Sequence, residues 1–500
     1  MKQPQLHFWQ MWNVSFGFLG IQIGFALQSA NITRILADLG AHLESLSLFF
    51  LVAPLTGLIV QPFVGAATDR TWNKMGRRNP YIFYGAFFAC IGMLLLPNAS
   101  VFVAILSPMI FGVFMLALMD VSFNVTLQPF RALVSDMVPA EQRDRGYAIQ
   151  TLLINIGAIF GSLLPFLLTN VVGLDNTAVL GQVSPSTTWA FYVGATVMMG
   201  SVWWTVFRTK EYPPEQYYAF KGMDAKAVEK EYEVAKSIPL KDKISGFLRL
   251  LSDMPQIMRQ LAVVQFFSWF PLFVMWTYMP TAMMQYAWGI DIQWFDPDYV
   301  ESVGGFTDEV ANARGTAGDW NGLLSAVVFV SAASFAAILG PLMQKFGRKP
   351  VYATGLLMGG VGFASFILFN DTTVVEVNVL VTTLALPKAA LWLIVPMIGI
   401  GFAWASLLAV PYAMLAGALP ANKTGVYMGI FNFTVATPQI VAGIVIGPML
   451  ANVFDNHAIY MMLIAGGSMT LAALSVSLVK SSSDDEAELS RQIEDEVVKT

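Results

Sequence analysis

Four polar residues in one apolar segment, residues 103–137, have the types and spacing of a proton and ligand site. Asp120, Asn124, Gln128 and Arg131 stand at positions i, i+4, i+8 and i+11, which share an arc of roughly 80° on an α-helix. Ionisable groups are costly in lipid, so this stripe is expected to face a bundle interior or a watery cavity. A carboxylate that moves between a buried setting and a cation can bind and release a proton, which makes Asp120 a candidate proton switch. The alternative is a structural Asp that is hydrogen-bonded within the bundle.

The second ionisable residue of the stripe, Arg131, cannot pair directly with Asp120 along a regular helix. A rise of about 1.5 Å per residue places the two about 16 Å apart, although Pro129 can bend the helix. We interpret Arg131 as a group that binds ligand hydroxyls or senses the proton on Asp120 through ligand and water. The alternative is an arginine whose head reaches the inner membrane interface.

Amide and aromatic side chains in other apolar segments supply further candidate contacts. Gln28 and Asn31 are i, i+3 neighbours, and amides both donate and accept, which suits a hydroxyl-rich ligand. Hydrogen bonding between helices is the alternative. Aromatic rings can stack on a sugar ring, but interface and core aromatics are equally common in membrane proteins. The candidate substrate contacts are Gln28, Asn31, Asn124, Gln128, Trp276, Tyr278, Trp404, Tyr412, Asn432 and Gln439.

Twelve apolar stretches are long enough to carry these residues across a bilayer, which takes about 20 residues of helix. The chain of 500 residues is 56% hydrophobic and 12% charged, against about 25% charged in soluble domains. Spans are predicted at 12–36, 46–67, 80–98, 103–137, 146–172, 188–208, 257–284, 320–343, 351–370, 389–418, 425–450 and 457–479. The fold class is an all-α membrane protein with twelve transmembrane helices in two repeated six-helix bundles. The predicted domains are an N-terminal bundle (1–208), a cytoplasmic linker (209–255), a C-terminal bundle (256–480) and an acidic cytoplasmic tail (481–500).

Lysine and arginine are distributed unevenly over the loops. With both termini on one side, 24 of the 28 basic residues fall there, and the opposite loops hold only Arg34, Arg314 and Lys388. Cytoplasmic loops accumulate Lys and Arg, so both termini are predicted to be cytoplasmic. No cleavable signal peptide is evident, and the expected location is the inner (plasma) membrane. The acidic, glycine-rich loop 285–319 is expected to cover part of the outer mouth.

The two halves repeat a charged loop motif. The loop after the second span carries Gly65, Asp69, Arg70, Gly76, Arg77 and Arg78. The loop after the eighth span carries Gly340, Lys345, Gly347, Arg348 and Lys349. Duplicated halves suit a transporter that rocks one half against the other. Glycine permits close helix approach, and an acid is favoured near a helix N-terminus, so the first motif is assigned to conformational gating. The alternative is that its cations only set the topology.

Cysteine and histidine usage excludes several kinds of site. Cys90 is the single cysteine, which excludes an intramolecular disulfide, a thiolate metal site and a redox pair. The three histidines, His7, His42 and His457, form no metal-ligand pattern, and no Ser/His/Asp set is evident. Neither an enzyme nor a metal site is therefore expected.

Several runs of this sequence resemble the sucrose carriers of the major facilitator superfamily. The similar runs are Gln22-x-Gly24-Phe25-Ala26-Leu27-Gln28, Gly57-Leu58-Ile59-Val60-Gln61-Pro62, Asp120-Val121-x-x-Asn124, Trp269-Phe270-Pro271, and Asn432 with Pro438-Gln439. The resemblance implies that Asp120 accepts the coupling proton and that Arg131 is needed for coupled transport. Plant carriers have acids after the Trp-Phe-Pro run, where this chain has Trp276 and Tyr278, so a bacterial maltose carrier fits better.

The resemblance implies the major facilitator fold and a proton-coupled symporter of the glycoside–proton branch. Such a symporter imports an α-linked disaccharide by alternating access, and we predict maltose first and sucrose next. A sodium-coupled glycoside symporter and a transporter-like sugar receptor are the alternatives. The predicted partners are a disaccharide and membrane lipid, with no nucleic acid and no cofactor beyond the proton, and a monomer is expected.

Overall fold

A computed structural model describes residues 3–221, 254–380, 382–416 and 424–479 of the chain, and it is built mainly from α-helices. Apolar runs become helices because a helix satisfies its own backbone N–H and C=O groups without water. The tail 481–500 and most of the linker lie outside the described residues. The helices of the N-terminal half are α1 (Phe8–Ser15), α2 (Gly17–Asp38), α3 (Leu43–Phe50), α4 (Val52–Arg70), α5 (Asn79–Leu95), α6 (Pro108–Met137), α7 (Arg143–Asn170) and α8 (Pro185–Arg208).

The second half follows a short linker helix, α9 (Pro214–Lys221). Its helices are α10 (Gln256–Tyr286), α11 (Pro297–Ser302), α12 (Asp308–Phe346), α13 (Arg348–Ser365), α14 (Lys388–Trp392), α15 (Ile394–Ala416), α16 (Thr424–Val453) and α17 (Ile459–Ser475). Single turns of 3₁₀-helix extend α13 and α17, and a longer one, Leu96–Phe102, extends α5.

The number of spanning helices agrees with the predicted fold class. Within the described residues, eleven helical segments are long and apolar enough to cross a membrane. Helix α2 has the length of a span but a lower hydropathy, because it carries the amides Gln22, Gln28 and Asn31. Counting α2 gives the predicted twelve, and the all-α class is confirmed.

Helix α12 corrects one predicted boundary. The helix begins at Asp308 rather than at residue 320, so Arg314 and Asp319 lie on a spanning helix instead of an outer loop, and both are buried. Small residues allow this turn to pack closely: a Cβ at Gly318 would lie 2.3 Å from the Arg34 guanidinium. Charged residues suggested a solvated loop, whereas here they have partners inside the protein.

The loop between α13 and α14 contains a feature that the sequence did not predict. Strands β1 (Val374–Val379) and β2 (Thr382–Pro387) pair as an antiparallel hairpin. Leu380 at its turn has a φ of 53°. Side chains along β1 alternate between exposed and half-buried, as expected for a strand at a protein surface.

The two halves contact each other at the end of the bundle where the α2–α3 loop lies. There α12 packs against α7 and α2, and α16 packs against α3. A Cβ at Gly447 would lie 2.1 Å from the Glu44 carbonyl oxygen, and a Cβ at Gly443 would lie 2.3 Å from the Leu51 side chain. These glycines therefore permit the close contact. We call this end, which contains Arg34, Asp38 and Arg314, the closed end.

The hydrogen bonds that the structure describes between the halves all lie toward the closed end. They are Thr33 to the Trp276 and Thr277 carbonyls, Asn176 to Asp319, Tyr278 to the Leu43 carbonyl, Arg314 to Asp38, and Asn321 to the Ala30 carbonyl. The opposite end, which we call the motif end, contains Arg77, Arg78 and Asp136. Its described ion pairs join parts of the N-terminal half only. Among the described residues, the hydrogen bonds between the halves are therefore concentrated at the closed end.

Candidate transport site

The carboxylate of Asp120 is buried in the middle of α6. The residue is 2% exposed, and Gln28 Nε2 on α2 donates to its Oδ1 at 2.6 Å. Among the described residues Asp120 forms no ion pair. A buried carboxylate requires hydrogen-bond donors or neutralisation, and a single neutral amide is the side-chain donor here. Asp120 is thus placed where gain or loss of a proton would change its surroundings strongly.

Asn124 links Asp120 to a second helix. Its Nδ2 donates to the backbone carbonyl of Asp120 at 2.9 Å and to Thr56 Oγ1 on α4 at 3.1 Å. Its Oδ1 accepts from Gln61 Nε2 at 2.7 Å. Gln28, Thr56, Gln61, Asp120 and Asn124 form one group, the carboxylate cluster, which joins α2, α4 and α6. Thr56 and Gln61 were not among the predicted contacts, although an amide before Pro62 in an apolar span was an available signal.

Arg131 lies farther along α6 and makes no described contact with Asp120, as the helix geometry predicted. Its side chain is exposed although Pro129 and Phe130 beside it are buried. It lies within electrostatic reach of Tyr412 on α15. Because α6 and α15 belong to different halves, Arg131 faces the space between the halves. Gln128, one turn earlier, is half-buried.

Three tryptophans form an aromatic group in the second half. The rings of Trp269 and Trp276 on α10 each meet Trp404 on α15 edge to face, with centroids 5.8 Å apart. Trp269 Nε1 donates to Gln265 Oε1 at 2.6 Å. Trp276 and Trp404 are half-buried and can still meet a ligand. Tyr412 packs its ring against Phe431 with centroids 5.5 Å apart.

Other predicted contacts lie elsewhere or bond within the protein. Tyr278 is fully buried and donates to the Leu43 carbonyl, which places it in the closed end. Asn31 is 2% exposed and donates to the Leu27 carbonyl of its own helix. Gln439 donates to the Val435 carbonyl. Asn432 on α16 is exposed and makes no described hydrogen bond.

Buried charges join the halves at the closed end. Asp38 accepts from Arg314 Nη2 at 2.8 Å and lies 3.7 Å from Arg34 Nε, with all three side chains at most 6% exposed. Arg34 also donates to the Asn176 carbonyl, and Asn176 Nδ2 donates to Asp319 at 2.7 Å. This group was not predicted from the sequence, because its members come from distant segments. The i, i+4 spacing of Arg34 and Asp38 was the available signal.

The motif end is held by a second group of charges. Asp136 accepts from Arg77 and, at 3.2 Å, from Arg78 Nε, and the Tyr217 hydroxyl of α9 donates to it. The Arg77 guanidinium stacks 4.1 Å over the Tyr217 ring. Burial alone would lower the pKa of Arg77, but Asp136 and Tyr217 outweigh it and raise that pKa.

The remaining gating residues differ in what the structure shows. The side chains of Asp69 and Arg70 lie outside the described part of the chain, and among the described residues a Cβ at Gly65 would meet no atom within 4 Å. Gly76 has a φ of 111°, and a Cβ on it would lie 2.5 Å from Glu211 Oε1. Both the backbone conformation and the space therefore require glycine at position 76.

Glu211 caps the N-terminus of α5. Its carboxylate accepts from the backbone N–H groups of Arg78 and Asn79, each at 2.8 Å, where the helix dipole favours negative charge. Burial raises the pKa of Glu211, and the backbone hydrogen bonds oppose that rise. This cap joins the segment after α8 to the loop that carries the gating motif.

One group of possible metal ligands occurs in the described residues, although no such pattern is evident along the sequence. Ligand atoms of His42, Asp296 and Asp298 lie within 4.8 Å of one another. They border a surface cavity of about 320 Å³ at the closed end. Exposed acidic groups of this kind are common without a metal, and the cavity is separate from the carboxylate cluster.

The sequence profile of the Major Facilitator Superfamily matches residues 14–307. The chain belongs to this superfamily. Solved superfamily transporters share its fold. The xylose transporter XylE from E. coli, in a partially occluded inward open conformation, has a TM-score of 0.60 at 14% identity, covering 95% of this chain and 98% of that one. The nucleoside transporter NupG has a TM-score of 0.59 at 12% identity, covering 94% and 98%.

Curated relatives carry sugar-transport names. Proton-associated sugar transporter A of Mus musculus is 30% identical over 166 residues, 32% of this chain but only 22% of that protein. Sucrose transport protein SUT1 of Oryza sativa subsp. japonica is 25% identical over 468 residues, 86% of this chain and 80% of that protein. The general alpha-glucoside permease of Schizosaccharomyces pombe is 24% identical over 294 residues, 55% and 48%. The superfamily and these relatives confirm a multi-pass membrane transporter rather than an enzyme.

Proposed function

We propose that this superfamily member is a proton-coupled symporter that imports an α-linked disaccharide, with maltose first and sucrose next. The observation that carries the proposal is the buried carboxylate of Asp120, which has one neutral amide partner and no described cation. A buried acid without a cation is strongly sensitive to its protonation state. A carrier that changes conformation around such an acid can couple sugar movement to a proton.

The space between the halves offers contacts that suit a sugar. Arg131 faces that space, and Gln128 on α6 and Asn432 on α16 are a half-buried and an exposed polar residue that could add contacts. Trp276 and Trp404 offer aromatic edges and faces, and Tyr412 lies close to Arg131. Planar guanidinium and amide groups bond vicinal hydroxyls, whereas aromatic rings cover the apolar face of a pyranose.

The relatives support the sugar class. The rice relative is named for sucrose transport, the yeast relative for alpha-glucosides and the mouse relative for proton-associated sugar transport. All three names refer to a sugar or a glucoside, one of them specifies the α linkage, and one specifies the proton. Maltose and sucrose both contain an α-glucosyl unit, which would occupy the same contacts.

Charge bias gives the proposed orientation. The motif end carries the basic loops, so we place it in the cytoplasm together with both termini, in the inner (plasma) membrane. The closed end then faces outward, so the described hydrogen bonds between the halves would seal the outer side of the carrier. Residues 1–208 and 256–480 act as the two moving bundles in this proposal, joined by the linker 209–255.

Uptake by purified protein in liposomes tests the coupling. Asp120→Asn keeps the size and hydrogen bonding of the side chain but cannot titrate. We expect it to abolish sugar accumulation driven by a proton gradient, and to abolish sugar-induced alkalinisation outside, while some counterflow survives. The control variant Asp371→Asn removes an exposed carboxylate in the loop just before β1, and it should behave like wild type. Accumulation at the wild-type rate in Asp120→Asn would place the proton site elsewhere.

Two further measurements separate the rival carriers. Competition of radiolabelled maltose uptake by a panel of unlabelled sugars identifies the substrate. Replacing external sodium with choline should leave uptake unchanged. A site for a hard cation requires several oxygen ligands, and the Asp120 Oδ1 atom already accepts an amide N–H. Loss of uptake in choline would favour the sodium-coupled alternative, and binding without any uptake would favour a receptor.

A further inference from the structure

Gln28 has an unusual hydrogen-bonding position. Gln28 is only 7% exposed, and its Nε2 donates to Asp120 Oδ1 at 2.6 Å. Its Oε1 is buried and has no hydrogen-bond partner. A buried acceptor without a partner is costly, so this oxygen is available to a donor that is missing in this state. The Asp120 carboxyl, which already contacts the same amide, can become such a donor once it is protonated.

The same helix carries much of the closed end. Two residues after Gln28, the Ala30 carbonyl accepts from Asn321 Nδ2 of the other half at 2.7 Å. Thr33 donates across to the Trp276 carbonyl at 3.1 Å. Asp38 binds Arg314 of the other half. Helix α2 therefore connects the Asp120 carboxylate directly to contacts that must break when the closed end opens.

In the part of the chain that the structure describes, no other charged group stands beside Asp120 to take this role. Helix α5 contains no charged residue, and the charges on α2, α4 and α7 lie toward the ends of those helices. They are Arg34 and Asp38 on α2, Asp69 and Arg70 on α4, and Arg143, Asp144 and Arg145 on α7. On α6 itself Arg131 is about 16 Å along the helix. Gln28 is the polar side chain that contacts the carboxylate.

We propose that the Gln28 amide changes its hydrogen bond when Asp120 gains or loses a proton, and that helix α2 transmits this change to the closed end. The proposal rests on the proposed proton coupling and adds a positioning residue to it. With Asp120 as carboxylate, Gln28 donates through Nε2. When a proton from water binds the carboxylate, the Asp120 hydroxyl becomes the donor, and the Gln28 amide turns over so that Oε1 accepts. The exchange rearranges the α2–α6 contact without adding or removing a charge on α2.

The pH dependence of sugar counterflow, with equal pH on both sides, tests whether Gln28 responds to the protonation of Asp120. Gln28→Met is close in size and cannot donate. Gln28→Met loses the bond to the carboxylate and also the bond from the protonated acid, but the charge-assisted bond to the carboxylate is the stronger of the two. The protonated acid is therefore favoured, and the pH midpoint should move upward by up to about one unit. Ser29→Ala, whose hydroxyl bonds the Phe25 carbonyl of its own helix, is the matched control and should keep the wild-type midpoint. A wild-type midpoint in Gln28→Met would overturn the proposal.

Gln28→Glu provides a second variant if Gln28→Met folds poorly. Its side chain keeps the shape of Gln28 but competes with Asp120 for one proton, so its midpoint should also move upward. An unchanged midpoint in folded Gln28→Glu would equally contradict the proposed role of Gln28.

A distance measurement tests the link to the closed end. Spin labels at Val172→Cys and Val303→Cys, both exposed and on different halves, with Cys90→Ala, report opening of that end. We expect the distance distribution to change with pH in wild type, to be insensitive to pH in Asp120→Asn, and to change much less in Gln28→Met, where Asp120 still titrates but lacks its hydrogen bond to α2. Insensitivity in Asp120→Asn with a full wild-type response in Gln28→Met would overturn the role of Gln28 alone. Proton-driven accumulation in Asp120→Asn would instead overturn the proposed coupling.

Discussion

The closed end and the motif end use the same chemistry with different connections. At each end one aspartate binds two arginines: Asp38 binds Arg34 and Arg314, and Asp136 binds Arg77 and Arg78. At the closed end one of those arginines belongs to the other half. At the motif end both belong to the same half as the aspartate.

This difference shows which charges depend on the conformation. An ion pair between the halves must break when that end opens, whereas a pair within one half can survive the whole cycle. Breaking one partner of a buried pair leaves an uncompensated charge. The Asp38 group should therefore set the balance between conformations, and the Asp136 group should set the stability of the N-terminal half and its linker helix.

The largest effect is expected for Asp38→Asn. The change leaves Arg34 and Arg314 buried without their carboxylate, and removing one partner of a buried pair costs about 3–5 kcal/mol. That cost falls on the closed conformation, because opening lets the arginines reach water. Labelling of a cysteine at Thr33 by an impermeant thiol reagent, in Cys90→Ala protein, should increase strongly. Labelling that stays at the wild-type level would show that these ions do not hold the end closed.

A smaller and different effect is expected for Asp136→Asn. The variant weakens the hydrogen bonds to two arginines and to Tyr217. Each hydrogen bond to a charged group contributes about 1.5–3 kcal/mol to the free energy of unfolding. Because these contacts lie within one half, thermal stability should fall while the labelling at Thr33 stays near wild type. The melting temperature of the purified protein checks the first expectation. Increased closed-end labelling in Asp136→Asn would contradict the distinction between the two ends.

Two glycines sharpen the comparison without changing charge. A Cβ at Gly318 would lie 2.3 Å from the Arg34 guanidinium, whereas one at Gly65 would meet none of the described atoms within 4 Å. Gly318→Ala should therefore raise closed-end labelling, at an expected cost of about 1–3 kcal/mol for overpacking. Gly65→Ala should leave this conformation unchanged. If both variants had equal labelling, packing at Gly318 would not control closure.

The sequence predicted best where a single helix determines the geometry. The stripe on α6 is defined by spacing within one element, so the alignment of Asp120 with Asn124 and the distance to Arg131 both followed from helical rise and periodicity. The topology of twelve helices followed from apolar length. These features need no knowledge of how helices pack together.

Contacts between distant segments were harder to predict. Gln28 was assigned to the ligand, yet its amide bonds Asp120, 92 residues away. Arg314 was assigned to a loop, yet it pairs with Asp38, 276 residues away. A charged or polar residue has the same sequence signature whether water or a distant partner satisfies it. Only the approach of the two elements decides between these outcomes.

The smallest expected effect concerns Glu211, which anchors the motif end to the segment after α8. Burial raises its pKa above the ordinary value of 4.5, so the folded protein retains the proton after the unfolded chain has lost it. The unfolded state then binds fewer protons, and stability declines as pH rises from about 4.5 through the folded value. Glu211→Gln does not titrate and lacks this decline. The melting temperature of wild type minus that of Glu211→Gln should therefore fall across this window. A difference that grows with pH would show that the backbone hydrogen bonds from Arg78 and Asn79 outweigh burial.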